Sequence, residues 1–133
     1  VLTNVQSLVL SALLTWLMVL AASALRAKLW TPAGLLFGIG NRDPPVPAIT
    51  VVAGRADRAA RNMLENLLLL VALMLAERLS GHGGSEASTG ATVFFWSRLV
   101  YWPVYLAGIP YLRTVVWAVS LAGLAMIAAR ALG

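Results

Sequence analysis

Apolar positions along the chain gather into four long stretches, separated by polar or proline- and glycine-rich segments. They cover about 5–29, 55–79, 91–109 and 111–132. Each is close to the ~20 residues that a helix needs to cross a hydrocarbon core. No stretch sustains a two-residue alternation bounded by turn signals, so the pattern predicts helices and not strands. The opening "VLTNVQSLVLSALLTWLMVLAASAL" lacks a basic start, and its apolar part is too long for a signal peptide. It reads as a retained first transmembrane helix. The expected fold class is all-α, an integral membrane four-helix bundle forming a single domain over 1–133.

The connections differ in kind. "TPAGLLFGIGNRDPPVPAITVVAG" joins the first two helices and exceeds the usual loop length of about 12–15 residues, so it has a role of its own or lies along the membrane interface. "SGHGGSEASTG" reads as a flexible turn. Pro110 leaves only a tight break before the last helix, which makes the last two an antiparallel hairpin. No internal repeat is present.

Composition agrees with a membrane solvent. The 133 residues are 60% hydrophobic and 11% charged, with a mean hydropathy of +0.84. A soluble domain this small has too little interior to bury so much apolar surface. The net charge of +5 is not gathered on one long soluble face, which argues against nucleic acid as a partner. Arg26, Lys28, Arg42, Arg55, Arg58 and Arg61 flank or occupy the first loop, and Arg113 lies at the third turn. The second loop has only Arg78, close to Glu77 and Glu86. The positive-inside rule then predicts a cytoplasmic first loop and both termini on the non-cytoplasmic side.

The second helix raises a chemical question. Its apolar run over 67–76 has ten residues, or about 15 Å of helix at 1.5 Å per residue. The hydrocarbon core is about 30 Å thick, so part of "GRADRAARNMLEN" must enter it. Arg58, Arg61, Asn62 and Glu65 fall at i, i+3, i+4 and i+7, on one helix face. A polar face within a membrane needs a protein partner or a wet cavity. Arg55 and Arg58 read first as anchors at the membrane surface; Arg61, Asn62 and Glu65 read as a binding site.

Arg98 lies inside an apolar segment, with Tyr101 and Tyr105 at i+3 and i+7 on its face. The tyrosines suit either packing or a site with Arg98. Pro103 is expected to bend this helix. On the fourth helix, Arg113 is either an anchor or a ligand group, with Thr114 beside it. Trp96, Trp102, Tyr111 and Trp117 read as interfacial or packing aromatics. Ser7, Ser11 and Thr15 recur every fourth position and read as helix-packing residues.

Arginines for carboxylates, Glu65 for an ammonium, Asn62 for an amide and several hydroxyls together suit a small zwitterionic peptide. No cluster of cysteine, histidine and acid suggests a metal site, and His82, the single histidine, sits in a glycine-rich loop. The chain has no cysteine, so thiol chemistry requires a thiol carried by a ligand.

With "GRADRAARNMLEN", "SRLVYWPVY" and "YLRTVVW" on successive helices, the chain resembles the MAPEG family, membrane-associated proteins in eicosanoid and glutathione metabolism. It is similar to the short bacterial members related to microsomal glutathione transferase and prostaglandin E synthase. The resemblance implies a homotrimer in the bacterial inner membrane, with glutathione as co-substrate held between subunits near the cytoplasmic side. It carries glutathione binding over to Arg61, Asn62 and Glu65, to Arg98, Tyr105 and Arg113, and more weakly to Arg26; Tyr101, on the face of Arg98, joins the expected binding set. The expected thiolate stabiliser is Arg113, helped by Thr114 or Tyr105. The implied activity is conjugation or peroxide reduction of a lipophilic substrate arriving from the bilayer. Tyr101, Thr114 and Trp117 replace the histidine, serine and tyrosine of the prostaglandin-synthase branch, which argues against that reaction. Asp43 stands in a loop where a relative has an acid. The alternative is a non-catalytic membrane protein that keeps the scaffold as a binding or assembly module.

Overall fold

The computed structural model describes residues 1–43 and 49–133, all helix or connection. Five helices follow one another: α1 (Asn4–Ala27), α2 (Pro32–Ile39), α3 (Val51–Ser80), α4 (Ser85–Ala107) and α5 (Pro110–Leu132). The most extensive packing is between α4 and α5 and between α1 and α3, with α3 also touching both α4 and α5. Three helices, α1, α3 and α5, are long and apolar enough to cross a membrane. The more polar α4, which opens "SEASTG" and carries Arg98, is not among them.

Local chemistry sets the boundaries and explains where they depart from the apolar pattern. Thr3 and Gln6 form a reciprocal capping box that starts α1, and Lys28 in the left-handed region (φ 50°) ends it. Helix α3 begins four residues before the expected Arg55, because Thr50 accepts the Ala53 N–H at 3.1 Å and caps it there. The first connection contains α2, started by Thr31 as cap and Pro32 in the first turn. Its proline-rich part, 44–48, lies outside the described residues. Helix α4 begins at Ser85 and not near 91, so half of the expected flexible turn is helical. The helix continues through Pro103 to Ala107. Gly108 (φ 76°) and Ile109 alone then separate it from α5.

Small residues line the α1–α3 contact, while Phe94, Met18, Met63, Leu70 and Ile127 fill the interior, and many other large apolar side chains face outward. Ala53, Ala56, Ala59 and Ala60 of α3 and Ser7, Ser11 and Thr15 of α1 are buried. Leu13, Leu17, Leu68, Leu75, Val115 and Val119 are exposed. Small residues let helix backbones approach, and lipid solvates the outer leucines as well as a core would. A close approach joins α4 to α5: a Cβ on Gly123 would lie 2.6 Å from the Gly90 carbonyl oxygen and 2.9 Å from the Phe94 nitrogen. Both are backbone atoms, so only a helix shift makes room. Gly123→Ala is expected to cost about 1–3 kcal/mol, the range for overpacking. Thermal denaturation in detergent measures it, and an unchanged midpoint contradicts the close crossing.

Candidate functional site

Four chain segments bring polar side chains to one end of the molecule: the first half of α3, the last turns of α4, the start of α5 and the end of α1. The centre of this group is Arg98, which is completely buried. Its Nη1 donates to Asn62 Oδ1 at 2.7 Å. Its guanidinium carbon lies 4.9 Å from the Tyr101 ring centre and 5.6 Å from that of Phe94. Arg98 Nε and Nη2 are buried without a hydrogen-bond partner. A buried guanidinium with open donors is costly unless something further accepts from it.

The tyrosines extend this centre outward. Tyr101 is buried and meets Tyr105 edge to face, with ring centres 5.4 Å apart. The Arg113 guanidinium lies 4.9 Å from the Tyr105 ring centre. Arg58 Nε donates to the Tyr105 hydroxyl oxygen at 3.3 Å. A phenol that accepts from a cation keeps its own O–H free to donate outward. Asn62, Arg98, Tyr101, Tyr105 and Arg113 therefore form one continuous chain of contacts across α3, α4 and α5.

A second cluster surrounds Asp57. Arg26 Nη2 reaches Asp57 Oδ2 at 2.6 Å, linking the end of α1 to α3, and Arg61 Nη2 is 3.6 Å from the same oxygen. Arg61 thus turns back to Asp57, four residues before it, and not forward to Glu65. Arg61 and Glu65 are exposed on the outward side of α3, beside exposed Leu64 and Leu68. Thr114 is also exposed, and its hydroxyl donates to the Pro110 carbonyl at 3.1 Å. Arg61 and Glu65 on α3 and Thr114 on α5 are therefore surface groups and not parts of an enclosed cavity. His82 and Asp43 are exposed.

Four parts of this arrangement were not anticipated from the sequence. Asp57 lies inside the quoted motif, and its i,i+4 spacing to Arg61 was a usable signal. Arg58, expected as an anchor, reaches the Tyr105 hydroxyl. Arg55, also expected as an anchor, donates to the Leu106 carbonyl at 3.3 Å. Its guanidinium fills the space where a Cβ on Gly108 would sit, 2.5–2.6 Å away. Only glycine suits that position, for its left-handed backbone as well as for this contact. Asn66 is buried and donates to the Asn62 carbonyl at 2.8 Å, which holds the neighbouring turn of α3.

In chemical terms, six arginines (26, 55, 58, 61, 98 and 113) face two carboxylates, Asp57 and Glu65. Only Asp57 is engaged in an ion pair among the described residues. The surplus favours a ligand carrying carboxylates or a thiolate. When the chain is compared with known proteins, the family model for the MAPEG family matches residues 5–133. No curated protein and no solved structure matches it.

Proposed function

The chain belongs to the MAPEG family, and from that premise we propose that it is a glutathione-dependent transferase or peroxidase acting on a lipophilic electrophile or hydroperoxide. It is an integral membrane protein, with α1, α3 and α5 able to cross the bilayer. In this reading α4 makes the fourth span, the α1–α3 connection is cytoplasmic, both termini face the other side, and the membrane is a bacterial inner membrane.

The observation that carries the reading is the contact chain from Asn62 through Arg98, Tyr101 and Tyr105 to Arg113. It presents fixed cations and hydroxyls at one level of the helices. Arg61, Glu65 and Asn62 would hold the carboxylates, the ammonium and an amide of glutathione, and Arg26 would fix Asp57 behind them. Arg98, buried behind them, would orient the Asn62 amide toward the peptide through its 2.7 Å hydrogen bond to Oδ1. Arg113 would stabilise the thiolate, assisted by Tyr105 and Thr114.

A free thiol has a pKa of about 8.5, and adjacent cations lower it, which raises the fraction of nucleophile at neutral pH. The thiolate sulfur then attacks the electrophilic carbon and the leaving group departs. With a hydroperoxide, the sulfur attacks the terminal oxygen, giving a sulfenic acid and an alcohol. A second glutathione condenses with the sulfenic acid, releasing water and glutathione disulfide. Bound geometry turns the encounter into a positioned one.

Exposure of Arg61 and Glu65 beside Leu64 and Leu68 supports assembly of several copies. Charged groups on a lipid-facing surface are unfavourable, and a neighbouring subunit would cover them. A homotrimer with glutathione between subunits satisfies that requirement.

The test is glutathione binding by purified protein in detergent or lipid, followed by turnover of electrophiles and hydroperoxides. Arg61→Ala and Glu65→Ala should each weaken binding at least about tenfold, equivalent to about 1.4 kcal/mol. Unaltered binding in both variants removes the site assignment. Binding without turnover of any substrate favours the non-catalytic scaffold.

A further inference from the structure

At the opposite end of the molecule, α1 and α3 enclose a groove of about 460 Å³. Val5, Val71 and Leu75 supply apolar walls, and Asn4, Glu77 and Arg78 supply polar ones. Glu77 lies sixteen residues beyond Arg61 on α3, about 24 Å along the helix axis. The hydrocarbon core is about 30 Å thick, so the groove meets the headgroup level of the other leaflet.

Glu77 is the anomaly. It is only 3% exposed, yet it belongs to none of the ion pairs among the described residues. An ideal Cβ on Gly83 would lie 3.8 Å from its Oε1, so the carboxylate tucks beneath the α3–α4 turn. Asn4 Oδ1 is also buried without a hydrogen-bond partner. Two acceptors on one groove, one of them a buried carboxylate, call for a cationic donor. The neighbouring Arg78 does not fill that need, since successive helix residues do not face each other. Its exposed guanidinium suits an anion instead. The remaining walls suit hydrocarbon.

A cation with N–H groups, an anion and an alkyl chain occur together in one membrane component. We propose that this groove seats a phospholipid whose headgroup carries a primary ammonium. The ammonium donates to the Glu77 carboxylate and Asn4 Oδ1, the phosphodiester faces Arg78, and an acyl chain lies along Val5, Val71 and Leu75. A choline headgroup offers no N–H, and a glycerol headgroup offers no cation. The proposal is independent of the glutathione reading, because it uses none of the same residues.

The experiment titrates the full-length protein in detergent with phosphatidylethanolamine, phosphatidylcholine and phosphatidylglycerol. Retained lipid is read by native mass spectrometry and stabilisation by thermal unfolding. The ethanolamine lipid should be retained at least tenfold better than the choline lipid, and should raise the unfolding midpoint more. Glu77→Gln should bring the two lipids close to parity while glutathione binding stays as in the parent. Arg78→Gln should weaken both lipids together and leave their ratio intact, and Asn4→Ala should reduce the ratio without removing the carboxylate. Equal retention of the three lipids by the parent overturns the proposal, as does a preference that survives Glu77→Gln. Because the chain has no native cysteine, Leu75→Cys is a unique cross-linking site. Efficient cross-linking between copies at that position would show a second chain in the groove and also overturn it.

Discussion

Arg113→Leu is expected to lower kcat/KM for glutathione conjugation at pH 7 by up to about thirtyfold, the loss of thiolate when a largely ionised thiol returns to a pKa of about 8.5. The side chain is half-buried and stacks on the Tyr105 ring at 4.9 Å, so leucine fills much of its volume and the helix should persist. What disappears is the cation proposed to stand beside the sulfur. Without it, the bound thiol moves back toward the pKa of about 8.5 of a free thiol, and less thiolate is present at pH 7. The sign of the effect is testable. A lost cation raises the thiol pKa, so the defect should shrink as pH rises and the solvent supplies the deprotonated form. Arg113→Lys keeps the charge but loses the planar fork, and should recover part of the rate. Parent-like activity of Arg113→Leu at pH 7, or a defect constant across pH, would remove Arg113 from thiolate stabilisation.

The second large effect concerns stability. Asn62→Leu removes the sole side-chain hydrogen bond described for Arg98, the 2.7 Å contact to Oδ1. The guanidinium is fully buried and already has Nε and Nη2 without partners. Its remaining contacts would be the faces of Tyr101 and Phe94. Hydrogen bonds to charged groups contribute about 1.5–3 kcal/mol, so unfolding in detergent should shift by that order. Asn62→Asp separates structure from binding. A carboxylate there still accepts from Arg98, so the fold should hold. It also places negative charge where an anionic peptide is proposed to bind, and glutathione affinity should fall. If Asn62→Leu unfolds like the parent, Arg98 does not depend on this contact.

The long helices were legible because lipid solvation leaves a plain trace, long apolar stretches bounded by polar or proline- and glycine-rich segments. Boundaries were less so, since they depend on single residues. Thr50 moved the start of α3 upstream. Thr31 followed by Pro32 was a readable start for α2, but the surrounding prolines and glycines drew attention to the loop. The first turns of α4 were hidden because "SEASTG" is polar in isolation. Gly90 fits a helix there because Gly123 packs against it from a helix thirty-three positions away.

The candidate site divided along similar lines. Co-facial spacing alone picked out Arg98, Tyr101 and Tyr105, and the structure brings them into contact. The partners of Arg55 and Arg58 lie 51 and 47 residues away, beyond the reach of any periodicity. Spacing placed Arg61 and Glu65 on one face of α3 but did not show that the Arg61 side chain turns back toward Asp57. Glu77 read as a flanking charge because its burial depends on the turn that covers it.

The two-residue link between α4 and α5 also bears on how the protein reaches its membrane. In the proposed four-span topology, α4 carries Arg98 and lacks the apolar content to partition into lipid by itself. Its successor is strongly apolar and is tied to it through Gly108 and Ile109. The pair would therefore leave the translocon as one hairpin, with the Gly90–Gly123 crossing already zipped and the arginine shielded before lipid surrounds it. In that topology, the last helix would act as the chaperone of the one before it during biosynthesis.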